Sequence, residues 1–213
     1  MPQSASDLSS QFSFLFPKHN IDFDEDFIEA FQPYYVRTTD KQLGFFWRPE
    51  EVDILRDAND FKLLTESEQH IFTSNLKIQI VLDSVQGRCP NLAFLPLVSL
   101  PELETWIETW SFFETIHART YSHIIKQCFT DPNLMLKELY QDAEVLKRSK
   151  TMIDVFEKIA TTEYADTFEN RKLIVKTLVT IVAMETVAFM ASFAVTFALA
   201  ETDVYAGIAQ LVR

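Results

Sequence analysis

The chain has 213 residues, 47% of them hydrophobic, which is enough for one domain with a sizeable core. Its formal net charge of −12 argues against a nucleic-acid-binding surface, and its content of only 3 glycines argues against a turn-rich all-β fold. The two cysteines have no metal-binding spacing and the polar N-terminus has no signal-peptide core, so the composition favours a cytoplasmic protein with reduced thiols.

The first elements are predicted from caps and turn residues. Residues 1–20 are expected to form a flexible arm and residues 21–213 one helical domain, which starts with a short helix over 21–35. The aromatic segment LGFFWRPEEVD (43–53) predicts a turn that leads into a helix.

Two long helices follow. Thr65 is a predicted N-cap, with glutamates in the first turn, and the helix is expected to end at Gln86 because Gly87 follows. Ser99 is predicted to cap the next helix, which has Pro101 and Glu102 in its first turn and is expected to end near Thr130. Amphipathic helices are predicted from 133 to about 160.

The most apolar segment is a predicted helix over about 168–199, which is long enough to span a bilayer. Glu185 lies near its middle, no cluster of Lys and Arg flanks either end, and no second such segment exists. We interpret it as the central helix of a soluble bundle, with no membrane partner.

The last residues, 201–213, begin another amphipathic helix that stops at Arg213 without a terminating Gly, Asn or Pro. We therefore expect the chain to be the N-terminal part of a longer all-α domain, an incomplete helix bundle.

One predicted helix carries ionisable side chains on the face that should be apolar. Alternating steps of four and three residues place the following side chains on one face: Leu103, Ile107, Trp110, Glu114, His117, Tyr121, Ile124 and Cys128. Burying a carboxylate, an imidazole and a phenol unpaired would cost several kcal/mol each, and a bound metal ion would offset this cost.

Two more carboxylates lie on inward-facing stripes. Asp83 follows Phe72, Leu76 and Gln79 at the same spacing. Glu185 belongs to a stripe on the apolar helix, formed with Ile174, Leu178, Ile181, Ala188 and Ser192.

Asp83, Glu114, His117 and Glu185 together match the ligand pattern of a di-iron carboxylate bundle. In that pattern two helices each give one carboxylate and two others each give Glu-x-x-His, and carboxylates with imidazole suit iron or manganese. Glu114 and His117 form one such pair, and no second pair occurs before Arg213. The alternatives are a chance Glu-x-x-His, a Glu185 paired with an arginine, and a core tyrosine at 121.

Four segments closely resemble the small, radical-bearing subunit of class I ribonucleotide reductase, in order, from about residue 20 to Arg213. They are LGFFWRPEEVD (43–53), LDSVQGRCPN (82–91), LPELETWIETWSFFETIHARTYSHII (100–125) and AMETVAFMASFAVTFALAE (183–201). The resemblance implies a ferritin-like fold in which Asp83, Glu114, His117 and Glu185 bind iron. It also implies that Tyr121 holds a stable radical and that Trp47 relays it.

The resemblance further implies a ribonucleoside-diphosphate reductase β subunit that makes deoxyribonucleotides for DNA replication. Its cofactors would be two iron ions, or manganese, with O2 for radical generation, and its partners a large catalytic subunit and a second copy of itself.

The sequence departs from the family in lacking the second Glu-x-x-His and the C-terminal docking tail. We therefore expect this chain to bind metal weakly, to make little radical alone, and to need a complementing C-terminal fragment. Two other hypotheses stand beside this one: an inactive scaffold or dimerisation remnant, and a ferritin-like oxidase, against which Tyr121 and Trp47 argue.

Overall fold

A computed structural model describes residues 33–98, 100–163, 165–202 and 204–212. Within these ranges every regular element is helical, in agreement with the predicted all-α class. The helices are α1 Pro33–Leu43, α2 Leu55–Leu63, α3 Glu66–Gln86, α4 Pro101–Cys128, α5 Pro132–Leu139, α6 Ala143–Thr161, α7 Phe168–Ala183, α8 Met190–Ala200 and α9 Ala206–Leu211. Short 3-10 turns cover Pro49–Glu51 and Leu95–Leu97, and π turns cover Pro90–Phe94 and Met184–Phe189. The predicted arm over 1–20 and the predicted cap Ser99 lie outside the described residues.

Helix α3 matches its prediction closely. The Thr65 hydroxyl accepts from the Glu68 amide at 3.3 Å, and the Glu68 carboxylate accepts from the Thr65 amide at 2.9 Å, which forms a capping box. The four residues of its predicted inward stripe are all buried. Gly87 ends the helix with a right-handed φ of −59°, so this glycine is not required by a left-handed backbone.

Helices α7 and α8 are joined through the π turn into one continuous helix, Phe168–Ala200, which we call the long apolar helix. Its predicted stripe is wrong at Leu178, which is exposed, because Thr177 takes the inward position. The Thr177 hydroxyl can be buried because it donates to the Leu173 carbonyl at 2.9 Å.

The long apolar helix has the length and composition of a membrane span, but its mean hydropathy of 2.0 does not distinguish a span from a core helix. Only 22% of its most apolar stretch is buried, so the described residues do not give this helix the central position that the sequence predicted.

Of the three apolar clusters among the described residues, the two larger ones lie on either side of the inward-facing polar residues. The first cluster includes Ile107 of α4 together with residues of α6 and α7, and the second includes Tyr121 of α4 with residues of α2, α3 and α9. On α4, Glu114 and His117 lie between these two clusters, which leaves a polar layer inside the bundle.

Asn75 fixes α3 against α8. Its side-chain amide donates to the Ser192 carbonyl at 3.1 Å, and its carbonyl oxygen accepts from the Ser192 hydroxyl at 2.6 Å. This contact sets the position of the long apolar helix beside the polar layer.

Candidate metal and radical site

Asp83, Glu114 and His117 meet inside the bundle. One ligand atom from each residue lies within 4.8 Å of the others. Asp83 is 5% exposed and Glu114 is 4% exposed, whereas 37% of the His117 side chain is exposed. The structure therefore brings together three of the four residues that the sequence suggested as metal ligands, and metal binding itself remains a prediction.

The electrostatics of this cluster follow from burial. Burial raises the pKa of Asp83 to about 7, helped by the charges of Glu114 and Glu185 and opposed by His117 and by the phenol of Tyr121. Burial lowers the pKa of His117, but the hydrogen bond to Glu114 and three nearby carboxylates outweigh this, so the pKa is above its usual value. A carboxylate–imidazole cluster with this excess of negative charge fits a divalent cation such as iron or manganese.

Glu114 is held by three neighbours. Its Oε1 accepts from Trp110 Nε1 at 2.7 Å and from Gln86 Nε2 at 3.1 Å. Its Oε2 lies 3.2 Å from His117 Nδ1. The carboxylate is therefore fixed between α3 and the preceding turn of α4, with Oε2 facing the imidazole.

Glu185 lies beside this cluster but does not share the close approach of Asp83, Glu114 and His117. It is half-buried at the start of the π turn, and its Oε1 accepts a hydrogen bond from Gln86 Nε2. Burial raises the pKa of Glu185, while the Gln86 hydrogen bond lowers it. The fourth predicted ligand is thus connected to Glu114 through one shared amide donor.

Tyr121 is buried one helical turn beyond His117, in the second apolar cluster. Its phenol interacts with the nearby carboxylate of Asp83. Burial and the charge of Asp83 raise the pKa of Tyr121 well above its usual value, so the phenol keeps its proton at neutral pH.

Trp47 packs against the cluster from the segment before α2. Its ring centroid lies 5.6 Å from that of His117 and 6.0 Å from that of Phe113. Its Nε1 is buried and has no hydrogen-bond partner among the described residues. The contact with His117 suits the predicted relay, which remains a prediction.

Three residues beside the cluster were not predicted from sequence to belong to the site: Gln86, Trp110 and Gly87. Gln86 follows Asp83 by three positions and Trp110 precedes Glu114 by four, so helical spacing placed both beside a predicted ligand. A Cβ at Gly87 would lie 3.3 Å from Glu114 Cβ and 3.1 Å from the Asp83 carbonyl oxygen, so this glycine permits the close approach of α3 to α4.

Comparison with known proteins gives consistent matches. The chain is 42% identical over 209 residues to the ribonucleoside-diphosphate reductase subunit beta of Buchnera aphidicola subsp. Baizongia pistaciae, covering 90% of this chain and 54% of that protein. It is 41% identical over 197 residues to ribonucleoside-diphosphate reductase 1 subunit beta of Escherichia coli O157:H7, covering 84% of this chain and 52% of that protein. The chain thus spans about half the length of these relatives.

A solved structure agrees. The crystal structure of a putative class I ribonucleotide reductase from Bacillus halodurans superposes with a TM-score of 0.75 at 25% identity, covering 84% of this chain and 62% of that chain. The family described as ribonucleotide reductase, small chain, matches residues 29–213. The chain therefore belongs to the small-chain family of ribonucleotide reductases.

Proposed function

We propose that this chain forms the metal-binding and radical-holding part of the small subunit of a class I ribonucleoside-diphosphate reductase. The observation that carries the proposal is the buried cluster of Asp83, Glu114 and His117, with the buried phenol of Tyr121 one helical turn beyond His117. A buried tyrosine beside a group of metal ligands is suited to one-electron oxidation next to a metal.

Asp83, Glu114 and His117 would hold one metal ion, and Glu185 with Glu114 would contribute to a second. Iron is the metal we propose, with manganese as the alternative, since both accept carboxylate and imidazole ligands. When bound, the metal pair supplies, with O2 as oxidant, the oxidising power that removes one electron from Tyr121.

The protein's own residues control the proton and the surroundings of the radical. Tyr121 keeps its proton until it loses an electron, and the neighbouring carboxylate of Asp83 would take that proton. The apolar cluster around Tyr121 excludes water from the oxidised ring. Trp47, in contact with His117, would pass the radical toward the large subunit.

The partners follow from the same proposal. We propose a large catalytic subunit, a second copy of this chain, and further polypeptide that supplies the remaining metal ligands, because the relatives are about twice as long. The cytoplasm is the proposed location, and we propose neither a membrane nor a nucleic acid as partner. The net charge of −12 supports the second of these points, since it opposes binding to nucleic acid.

A second candidate function is an inactive helical scaffold that acts in dimerisation. The broad exposed apolar surface of the long apolar helix favours it, because such surfaces mark association sites.

The test is electron paramagnetic resonance after anaerobic loading with ferrous iron and exposure to O2. We expect little radical from the 213 residues alone and a tyrosyl signal when a companion polypeptide from the C-terminal half of a relative is added. The signal should disappear in Tyr121→Phe and persist in Tyr205→Phe, which removes another buried phenol.

Each contrary result has a definite meaning. Full radical yield from the 213 residues alone would refute the need for companion polypeptide. A signal that survives in Tyr121→Phe would refute the radical assignment. No metal binding in either preparation would leave the scaffold function in place.

A further inference from the structure

Gln86 lies at the C-terminal end of α3, is 0% exposed, and faces two of the proposed ligands. Its Nε2 donates to Glu114 Oε1 at 3.1 Å and also to Glu185 Oε1. One neutral amide group therefore lies between the buried carboxylate of Glu114 on α4 and the half-buried carboxylate of Glu185 on the long apolar helix.

The other half of this amide is unsatisfied. Gln86 Oε1 is buried and has no hydrogen-bond partner among the described residues. Leaving a buried carbonyl unpaired is unfavourable, and an apolar side chain of the same length would avoid that cost. The two charge-assisted bonds from Nε2 are thus what the amide contributes at this position.

We propose that Gln86 is a positioning residue that takes the place of a cation between Glu114 and Glu185 in the metal-free protein. The inference rests on the proposed metal centre. A second metal ion held by Glu114 and Glu185 would draw on the same two carboxylates that accept from Gln86 Nε2, so we expect its binding to compete with these hydrogen bonds.

Trp110 donates to the same oxygen of Glu114 but is not suited to be displaced. Its ring lies 5.6 Å from that of Trp106 and 6.4 Å from that of Phe94, centroid to centroid, so it is held by aromatic packing. Gln86 has a flexible side chain and is the donor that can move.

The experiment compares Gln86→Met with Gln79→Met. Gln79 is also buried, lies two turns earlier on α3, and has an Nε2 without a partner among the described residues, so it is a matched control. Cobalt(II) binding is measured by competition with a chelator at mildly alkaline pH, where protons compete weakly, and thermal unfolding is measured without metal.

In Gln86→Met we expect the weaker equivalent of cobalt to bind at least about tenfold more tightly, because no donor has to be displaced. The metal-free variant should also unfold at a lower temperature, since two carboxylates then face each other without a donor between them. Gln79→Met should leave both cobalt affinities unchanged. Gln86→Asn, whose amide is too short to bridge, should tighten binding in the same way if the Met variant does not fold.

The possible failures are distinguishable. Unchanged or weaker cobalt binding in Gln86→Met, or equal tightening in Gln79→Met, overturns the role of Gln86 and leaves the metal centre standing. Absence of cobalt binding in the wild type, or binding that His117→Ala does not weaken, overturns the proposed metal centre and this inference with it.

Discussion

At the scale of single residues, Asp83 combines burial with negative neighbours and a nearby phenol. Its pKa is raised from 3.8 to about 7, so the folded, metal-free protein binds a proton here that the unfolded chain releases. His117, whose pKa is also raised, acts in the same direction. Asp83 and His117 therefore hold protons in the metal-free site that a bound metal ion would displace.

Stability in the presence of a chelator should consequently fall as the pH rises from about 4 to about 7. Protonated Asp83 stabilises the folded protein fully below pH 3.8, the pKa of Asp83 in the unfolded chain. This stabilisation is lost as the pH rises past about 7, the pKa of Asp83 in the folded protein. The expected loss is a few kcal/mol, since one unit of pKa corresponds to about 1.4 kcal/mol. Urea unfolding at a series of pH values measures the free energy of unfolding of the wild type and of Asp83→Asn. The wild type should lose stability with rising pH over this range by a few kcal/mol more than Asp83→Asn does.

Asp154→Asn, which changes an exposed carboxylate on α6, is the control and should retain the wild-type slope. With divalent metal present the trend should reverse, because metal binding requires deprotonated ligands and gains from rising pH. Equal slopes in the wild type and in Asp83→Asn would contradict the protonation of Asp83.

At the scale of elements, α9 depends on one carboxylate. The buried side chain of Asp57 on α2 accepts a hydrogen bond from the Ile208 amide at 3.0 Å. Gly207 makes room for it, since a Cβ there would lie 2.8 Å from Asp57 Oδ2. Tyr205, which precedes α9 with a φ of 62°, is buried and stacks on Phe72 at 4.4 Å between ring centroids.

Asp57→Ala should lower the free energy of unfolding by about 1–3 kcal/mol, because it leaves a buried amide without its acceptor. Asp57→Asn keeps an acceptor oxygen and should recover part of that loss. Asp60→Ala, three residues along the same helix, should change stability little. Urea denaturation measures the free energy of unfolding of each variant. Hydrogen exchange at the Ile208 amide should be faster in Asp57→Ala than in the wild type and unchanged in Asp60→Ala.

The elements differ in how far sequence predicts them. Helix α3 was predictable because its cap, its inward stripe and its terminating glycine are local signals. The stripe of the long apolar helix was misjudged at Leu178 because a helix of 3.6 residues per turn allows either residue 177 or 178 inward, and hydrophobicity favoured the wrong one. The Asp83, Glu114 and His117 cluster was predictable from spacing, whereas the Gln86 bridge depends on how three helices approach each other.

At the scale of the whole molecule, one apolar surface stands out. Six large side chains of the long apolar helix are between 46% and 66% exposed: Val175, Leu178, Val179, Val182, Val187 and Met190. The net charge of −12 favours solubility, whereas this exposed apolar surface favours association with another surface.

We expect the protein to self-associate through this surface and the double variant Val179→Glu, Val182→Glu to shift it toward monomer. Carboxylates at two neighbouring turns would have to lose their hydration on association. Sedimentation velocity over a range of concentrations measures the change. Leu63→Glu, which alters an exposed side chain on α2, should sediment as the wild type does. A wild type that is already monomeric, or a double variant that associates equally, would argue against this surface.

The π turn at Met184–Phe189 constrains the number of residues in this segment as much as their identity. Each residue of a helix turns the chain by about 100°, so deleting one residue here would close an α turn and rotate α8 by that angle. Ser192 and Thr196 would then turn away from Asn75, although no side chain in α8 had changed. Single-residue deletions should therefore be harder to tolerate in this segment than most substitutions.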